Sequence, residues 1–204
     1  MKLFLVRHGE TRENEAGILM GHHHGILTDR GRQQAKETAG LLKGYKFAHI
    51  YSSDLARCVD TTEFIKEFHP DTPLTFTKEL RERNLGILQG QKTSEIDWVK
   101  MTGDEFGQGK PEGGESIAEL KTRVLDFVRK LHDQHHNESI LLISHNGWIK
   151  QIISHFTGVD SKDVSKVGNA QVIEAEVNEG LTGRLINERA SCSLKRTSDV
   201  ETTC

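Results

Sequence analysis

Two stretches of this chain share one pattern, and together they leave few folds open. Leu3-Phe4-Leu5-Val6 runs straight into Arg7-His8-Gly9-Glu10-Thr11, and Ser139-Ile140-Leu141-Leu142-Ile143 runs into Ser144-His145-Asn146-Gly147. Short apolar runs bounded by polar residues read as strands buried on both faces, which belong to parallel sheets covered by helices. Two such strands that each end in histidine are best placed as parallel neighbours whose carboxyl ends open on one cleft. In open α/β sheets that edge is where ligands bind. Gly9 suits a backbone that turns sharply, or lies close to a ligand, just after the strand.

The residue types at the first junction point to phosphoryl transfer. A free imidazole titrates near pH 6.5, so at neutral pH one ring nitrogen keeps its lone pair and is a competent nucleophile. Arg7 beside it offers a planar fork of donors matched to phosphate oxygens. An isolated Arg-His-Gly triplet can equally end a surface strand, the arginine in an ion pair and the histidine half exposed. The decision rests on the remainder of the chain.

With 204 residues, the chain can bury roughly 70% of its unfolded surface without a disulfide or metal staple. We expect one catalytic domain over residues 1–190 and a flexible tail over 191–204, where little can be buried. The net charge of −3 gives no global field for nucleic acid or an anionic membrane, so a phosphate ligand needs a local cluster of cations. Cys58, Cys192 and Cys204 are an odd, scattered set, which argues against a disulfide framework and for a reducing compartment. No apolar run has the length of a membrane span, and Arg7-His8 interrupts the first hydrophobic stretch too early for a signal peptide, so a cytoplasmic protein is expected. The oligomeric state stays open; dimers are the commonest symmetric assembly.

Between the junctions, Thr11 to Met20 reads as polar and irregular, with Asn14 able to reach back to a ligand. Gly21-His22-His23-His24-Gly25 follows; adjacent histidines in an extended loop point in different directions, which favours a cleft-lining or solvated loop over a metal site. Thr28 caps a helix running to about Lys43, and Phe47 to Tyr51 reads as a strand. A helix beginning near Asp54 carries Arg57 in its first turn, where side chain and backbone donors can face an anion together. Glu82 lies between Arg81 and Arg83, as in a surface ion network or as a carboxylic acid beside a phosphate. Lys92 to Met101 reads as helical, Gly103 to Gly114 as a lid-like loop, and Ser116 with Glu119 as a capping box for a helix to about His132. A further helix is expected from about Trp148 to Phe156, then two late strands over Val172 to Val177 and Arg184 to Asn187.

Arg7-His8-Gly9-Glu10-Thr11 with Asn14, Ser52-Ser53-Asp54-Leu55-Ala56-Arg57, Leu80-Arg81-Glu82, Gly114-Glu115-Ser116 and Ser144-His145 resemble, in order, the histidine phosphatase superfamily, the phosphoglycerate-mutase-like proteins. The resemblance implies a three-layer α/β/α sandwich with a mostly parallel central sheet. It implies that His8 is the phosphorylated nucleophile, that Arg7, Arg57 and His145 hold the phosphoryl oxygens, and that Glu82 is the proton donor. Asn14, Gly21, His22 and Asn146 are the candidate substrate contacts. No metal or other cofactor is required by this chemistry.

The short connection from Glu82 to Gly114 resembles the phosphatase branch, of the fructose-2,6-bisphosphatase and broad phosphosugar phosphatase type, more than the mutases. The expected activity is hydrolysis of a small phosphorylated metabolite, without metal. A cofactor-dependent phosphoglycerate mutase is the alternative, and a non-catalytic phospholigand-binding protein the alternative of another class. Asn146, where a glycine commonly follows the second histidine, and the absence of a glutamine from the His22 loop bear on substrate choice.

Overall fold

The computed structural model describes residues 1–189. The expected tail, with Cys192 and Cys204, lies outside the described residues. In chain order the elements are β1 (Lys2–Arg7), α1 (Arg12–Glu15), α2 (Asp29–Leu42), β2 (His49–Ser53), α3 (Ala56–Lys66), β3 (Leu74–Thr77), α4 (Trp98–Thr102), α5 (Ile117–Gln134), β4 (Ser139–Ser144), α6 (Asn146–Thr157), β5 (Val172–Val177) and β6 (Gly183–Arg189). They build a six-stranded sheet in the order β3-β2-β4-β1-β5-β6. β3, β2, β4 and β1 are parallel, and β5 and β6 complete one edge in antiparallel fashion.

The apolar runs predict this layering because successive side chains leave a strand on opposite faces. Leu3, Leu5, Ile140 and Leu142 pack on one side against Leu120, Val124 and Val128 of α5 and Ile149 and Ile152 of α6. Phe4, Val6, Leu141 and Ile143 pack on the other side with Leu42 of α2 and Cys58 and Ile65 of α3. Each fully buried aliphatic side chain contributes about 1.5–3 kcal/mol. The result is the expected three-layer sandwich with β1 and β4 at its centre and Arg7 paired with Ser144 in register. Among the described residues no helix is long and apolar enough to cross a membrane.

Local departures from expectation have physical causes. Thr11 to Met20 is not wholly irregular: Thr11 and Asn14 form a reciprocal capping box that winds one turn, α1. Phe47 packs against the ring of Phe4 instead of joining the ladder, so β2 starts at His49. α3 starts at Ala56 because the Asp54 carboxylate is taken by Arg81. Lys92 to Met101 breaks into a 3-10 turn at Thr93–Glu95 and the short α4, which Asp97 restarts by accepting the Lys100 N–H. α6 begins two residues earlier than expected, with His145 itself as its N-cap residue.

Gly9 serves packing rather than ligand approach: a Cβ there would overlap the carbonyl of Gly31, and one on Gly31 would overlap the carbonyl of Glu10. The two glycines let α2 lie backbone to backbone on the segment after β1.

Candidate active site

β1 ends where its ladder partner ends, and this places the two histidines side by side. The His8 N–H donates to the Ser144 carbonyl at 3.1 Å, and the rings of His8 and His145 lie 5.3 Å apart. His8 is 2% exposed. Its Nδ1 lies 2.7 Å from the carbonyl of Gly9, so the proton sits on Nδ1 and the Nε2 lone pair is left to the cleft. Burial, with Arg57 and Arg7 nearby, holds the imidazole pKa well below its usual value, the Gly9 carbonyl opposing. It is therefore neutral at pH 7.

Two guanidinium groups meet at this ring. Arg7 donates from Nη1 to the Val167 carbonyl at 2.6 Å, while its buried Nε has no partner among the described residues. Burial lowers its pKa to about 10, Glu82 opposing and Arg57 assisting, which leaves the group charged at neutral pH. Arg57, in the first turn of α3, donates from Nη2 to Gly21 at 2.9 Å and from Nη1 to the carbonyls of His23 and His24. The histidine loop is thus a carbonyl cradle for Arg57.

His145 stands behind Arg57. The Arg57 Nε–H donates to His145 Nδ1 at 3.2 Å, which puts the histidine proton on Nε2, 2.9 Å from Ser53 Oγ. Burial, Arg57 and His8 hold this imidazole's pKa well below its usual value too. With both ring nitrogens engaged and no exposed surface, His145 meets Arg57 rather than the open cleft. His145 is not among the residues that line the cleft.

Glu82 closes the site from the other side. Its Oε1 accepts the Arg83 N–H at 3.0 Å and its Oε2 accepts the Gly147 N–H, from the first turn of α6, at 3.1 Å. The flanking arginines do not form an ion network with it. Arg81 holds Asp54 through two bonds of 2.6 Å, and Arg83 is buried, donating to the carbonyls of Glu115, Gly107 and Gly109. Arg123 of α5 pairs with Glu115 and donates to the carbonyls of Glu79, Arg81 and Glu82, so the segment carrying the carboxylate is fixed from behind.

The cleft between these walls has a volume of about 350 Å³, room for a small metabolite. Arg7, His8, Arg57 and Glu82 line it together with Asn14, Gly21 and Asn146. Asn14 Oδ1 accepts from the Thr11 N–H and from Asn169 Nδ2. Asn146 Oδ1 accepts the Val167 N–H at 3.0 Å, so Asn146 and Arg7 hold the backbone of Val167 at its amide and at its carbonyl. His22 turns elsewhere: its Nε2 lies 2.9 Å from the Glu82 carbonyl, and it lines a separate surface hollow with Arg81 and Glu115. The Ala56 N–H donates to His24 Nδ1, so His22 and His24 point apart.

Sequence reasoning missed Ser53, Asn169 and Arg123 as parts of the site, and the cleft-lining lysines of α6 and the loop after it. Arg123 lies on the polar side of an amphipathic helix, where nothing in the spacing shows what it reaches.

The histidine phosphatase superfamily (branch 1) model matches residues 3–186. Phosphoglycerate mutase-like protein 4 of Arabidopsis thaliana is 33% identical over 84% of this chain and 77% of its own. A probable phosphatase of Schizosaccharomyces pombe is 32% identical over 91% of each chain. The solved structure of a phosphoserine phosphatase variant from Entamoeba histolytica, in complex with phosphoserine, has a TM-score of 0.82 at 28% identity and covers 95% of this chain and 99% of its own. The matched span takes in both strand-histidine junctions and everything between them, and the chain belongs to the histidine phosphatase superfamily, branch 1.

Proposed function

We propose that the protein is a phosphatase that hydrolyses a small phosphorylated metabolite through a phosphohistidine on His8. The observation that carries this reading is the pairing of His8 Nδ1–H with the Gly9 carbonyl, which presents a neutral Nε2 lone pair between two buried guanidinium groups. In the first half, Nε2 attacks phosphorus in line, the bond from phosphorus to the ester oxygen breaks, and Glu82 gives its proton to the leaving oxygen. The Nδ1–H stays on the Gly9 carbonyl, which steadies the positive charge gained by the ring. In the second half a water attacks phosphorus, its proton passes to Glu82, and the phosphorus–nitrogen bond breaks. Arg7 and Arg57 offset the charge spread over the equatorial oxygens. His145 acts as a positioning residue by orienting Arg57.

No step calls on a metal ion. The relatives support a small-molecule substrate: one is named a phosphoserine phosphatase, and another, over half of its own length, a fructose-2,6-bisphosphatase. The test is phosphate release from a panel of phosphomonoesters in the presence of EDTA, with His8→Ala alongside. Release that survives EDTA and disappears in the variant is the expected result. Full activity in His8→Ala would refute the mechanism. With 3-phosphoglycerate as substrate, isomerisation outrunning phosphate release would make the protein a mutase. Tight phosphate binding with no turnover of any ester would make it a binding protein.

A further inference from the structure

The cleft holds more positive charge than one phosphoryl group needs. Besides Arg7 and Arg57 it is lined by Lys150 on α6 and by Lys162 and Lys166 on the loop before β5, in a chain whose net charge is −3. Among the described residues these three ammonium groups form no ion pair. The guanidinium of Arg83 also reaches this wall but is spent on three carbonyls. Gathering unpaired cations around a partly desolvated hollow costs free energy unless an anion visits it.

The three lysines share the lining of one cleft with His8. Lys166 precedes Val167, whose carbonyl takes Arg7 Nη1, and its ammonium lines the cleft close enough to feel the charge of Arg7. Lys150 lies one helical turn beyond Asn146, which accepts the Val167 N–H. Lys162 rests with its Nζ 4.4 Å from the ring centre of Phe106, which is 58% exposed on the opposite loop. A cation–π contact at an exposed site is worth only about 0.5–1 kcal/mol, so this ammonium can exchange it for a bound anion. Burial lowers the pKa of Lys150, with Asp163 and Asp160 opposing, and burial and Arg7 lower that of Lys166. Gln151, buried beside Lys150 on the same cleft wall, leaves its Oε1 without a partner among the described residues and can accept from a substrate hydroxyl or ammonium.

We propose that Lys150, Lys162 and Lys166 form a second anion subsite, and that the preferred substrate is a phosphomonoester carrying a further anionic group that reaches it. The proposal rests on the phosphatase reading of the His8 site. Lysines are compact point charges without the fork geometry of arginine, so the shared chemistry is a carboxylate or a second phosphate.

The experiment compares two matched pairs: 3-phosphoglycerate against glycerol 3-phosphate for the carboxylate, and fructose 1,6-bisphosphate against fructose 6-phosphate for the second phosphate. Wild type and the triple variant Lys150→Gln/Lys162→Gln/Lys166→Gln are assayed on all four. The expected result is that the triple change lowers kcat/KM at least tenfold more for the doubly anionic member of one pair than for its partner, mainly through KM. The pair affected identifies the anion. Equal losses on both members of both pairs, or no loss, would overturn the subsite.

Binding of the same four compounds to His8→Ala, with and without the lysine changes, is followed by calorimetry. Loss of turnover in wild type with the binding preference intact and dependent on the lysines would sink the phosphatase reading and keep the subsite. Turnover without any lysine-dependent preference would do the reverse.

Discussion

At the scale of single residues, the site depends on which nitrogen of each histidine carries the proton. His8 is set by a carbonyl and so presents Nε2; His145 is set by a guanidinium and so donates from Nε2 to Ser53 Oγ. Ser53 therefore works with Arg57 in keeping His145 in the tautomer able to accept from Arg57. Ser53→Ala leaves the buried Nε2–H only the weaker acceptor Cys58 Sγ, 3.5 Å away, a loss of about 1–3 kcal/mol in stability, and frees His145 to flip away from Arg57. The expected outcome is a fall in kcat of at least tenfold, or about 1.4 kcal/mol in barrier, with a smaller change for Ser53→Thr. Nitrogen-15 spectra of the imidazoles separate this from a merely loosened core. A His145 signal that still reports protonated Nε2 in Ser53→Ala would show that Ser53 does not set the tautomer.

At the scale of elements, the junction of β4 with α6 ties the His8 side of the cleft to the Glu82 side. The first turn of α6 gives Glu82 the Gly147 N–H, and a Cβ on residue 147 would overlap Glu82 Oε1. Gly147→Ala should push the carboxylate aside and lower kcat about 100-fold, as a displacement near 1 Å can, while the protein stays folded. Circular dichroism and a Tm close to wild type, beside that kinetic loss, are the checks; a variant with wild-type kcat would show that Glu82 need not sit where it does. This junction was legible as strand, histidine and helix, because an apolar run and its polar stop are local signals. The alternation along Leu3 to Val6 and Ile140 to Ile143 carried the layers in the same way. The bracing of Glu82 by Arg123 was not legible, because it joins positions 41 residues apart through backbone carbonyls, which leave no mark in residue type. Arg57 could be placed at a helix start, but its use of the Gly21, His23 and His24 carbonyls depends on how a loop folds over it. For the same reason the three adjacent histidines attract attention that belongs to their backbone.

At the scale of the whole molecule, housing two neutral, buried imidazoles at the carboxyl ends of the two central strands sets a limit on acid stability. His8 and His145 both have pKa values well below the ordinary 6.5 because burial and the neighbouring arginines disfavour their charged forms. In the unfolded chain both would take up a proton as the pH falls through about 6.5, whereas in the folded protein they do not. Below that pH the unfolded state binds more protons, so stability falls as the solution is acidified; above it, the two groups contribute no slope. Each such histidine removes about 1.4 kcal/mol per pH unit, so the pair removes roughly 2–3 kcal/mol per unit until the folded values are reached. That is a large share of a domain's usual 5–15 kcal/mol. Urea midpoints recorded from pH 7.5 to 5 should decline below pH 6.5, and bound phosphate, which neutralises Arg7 and Arg57 and makes protonation of the histidines easier, should flatten the decline. The double variant His8→Gln/His145→Gln removes both titrations and should lose most of the slope. A slope unchanged in that variant would assign the acid sensitivity to other groups, and the buried histidines would then have to be charged or reached by water in the folded protein.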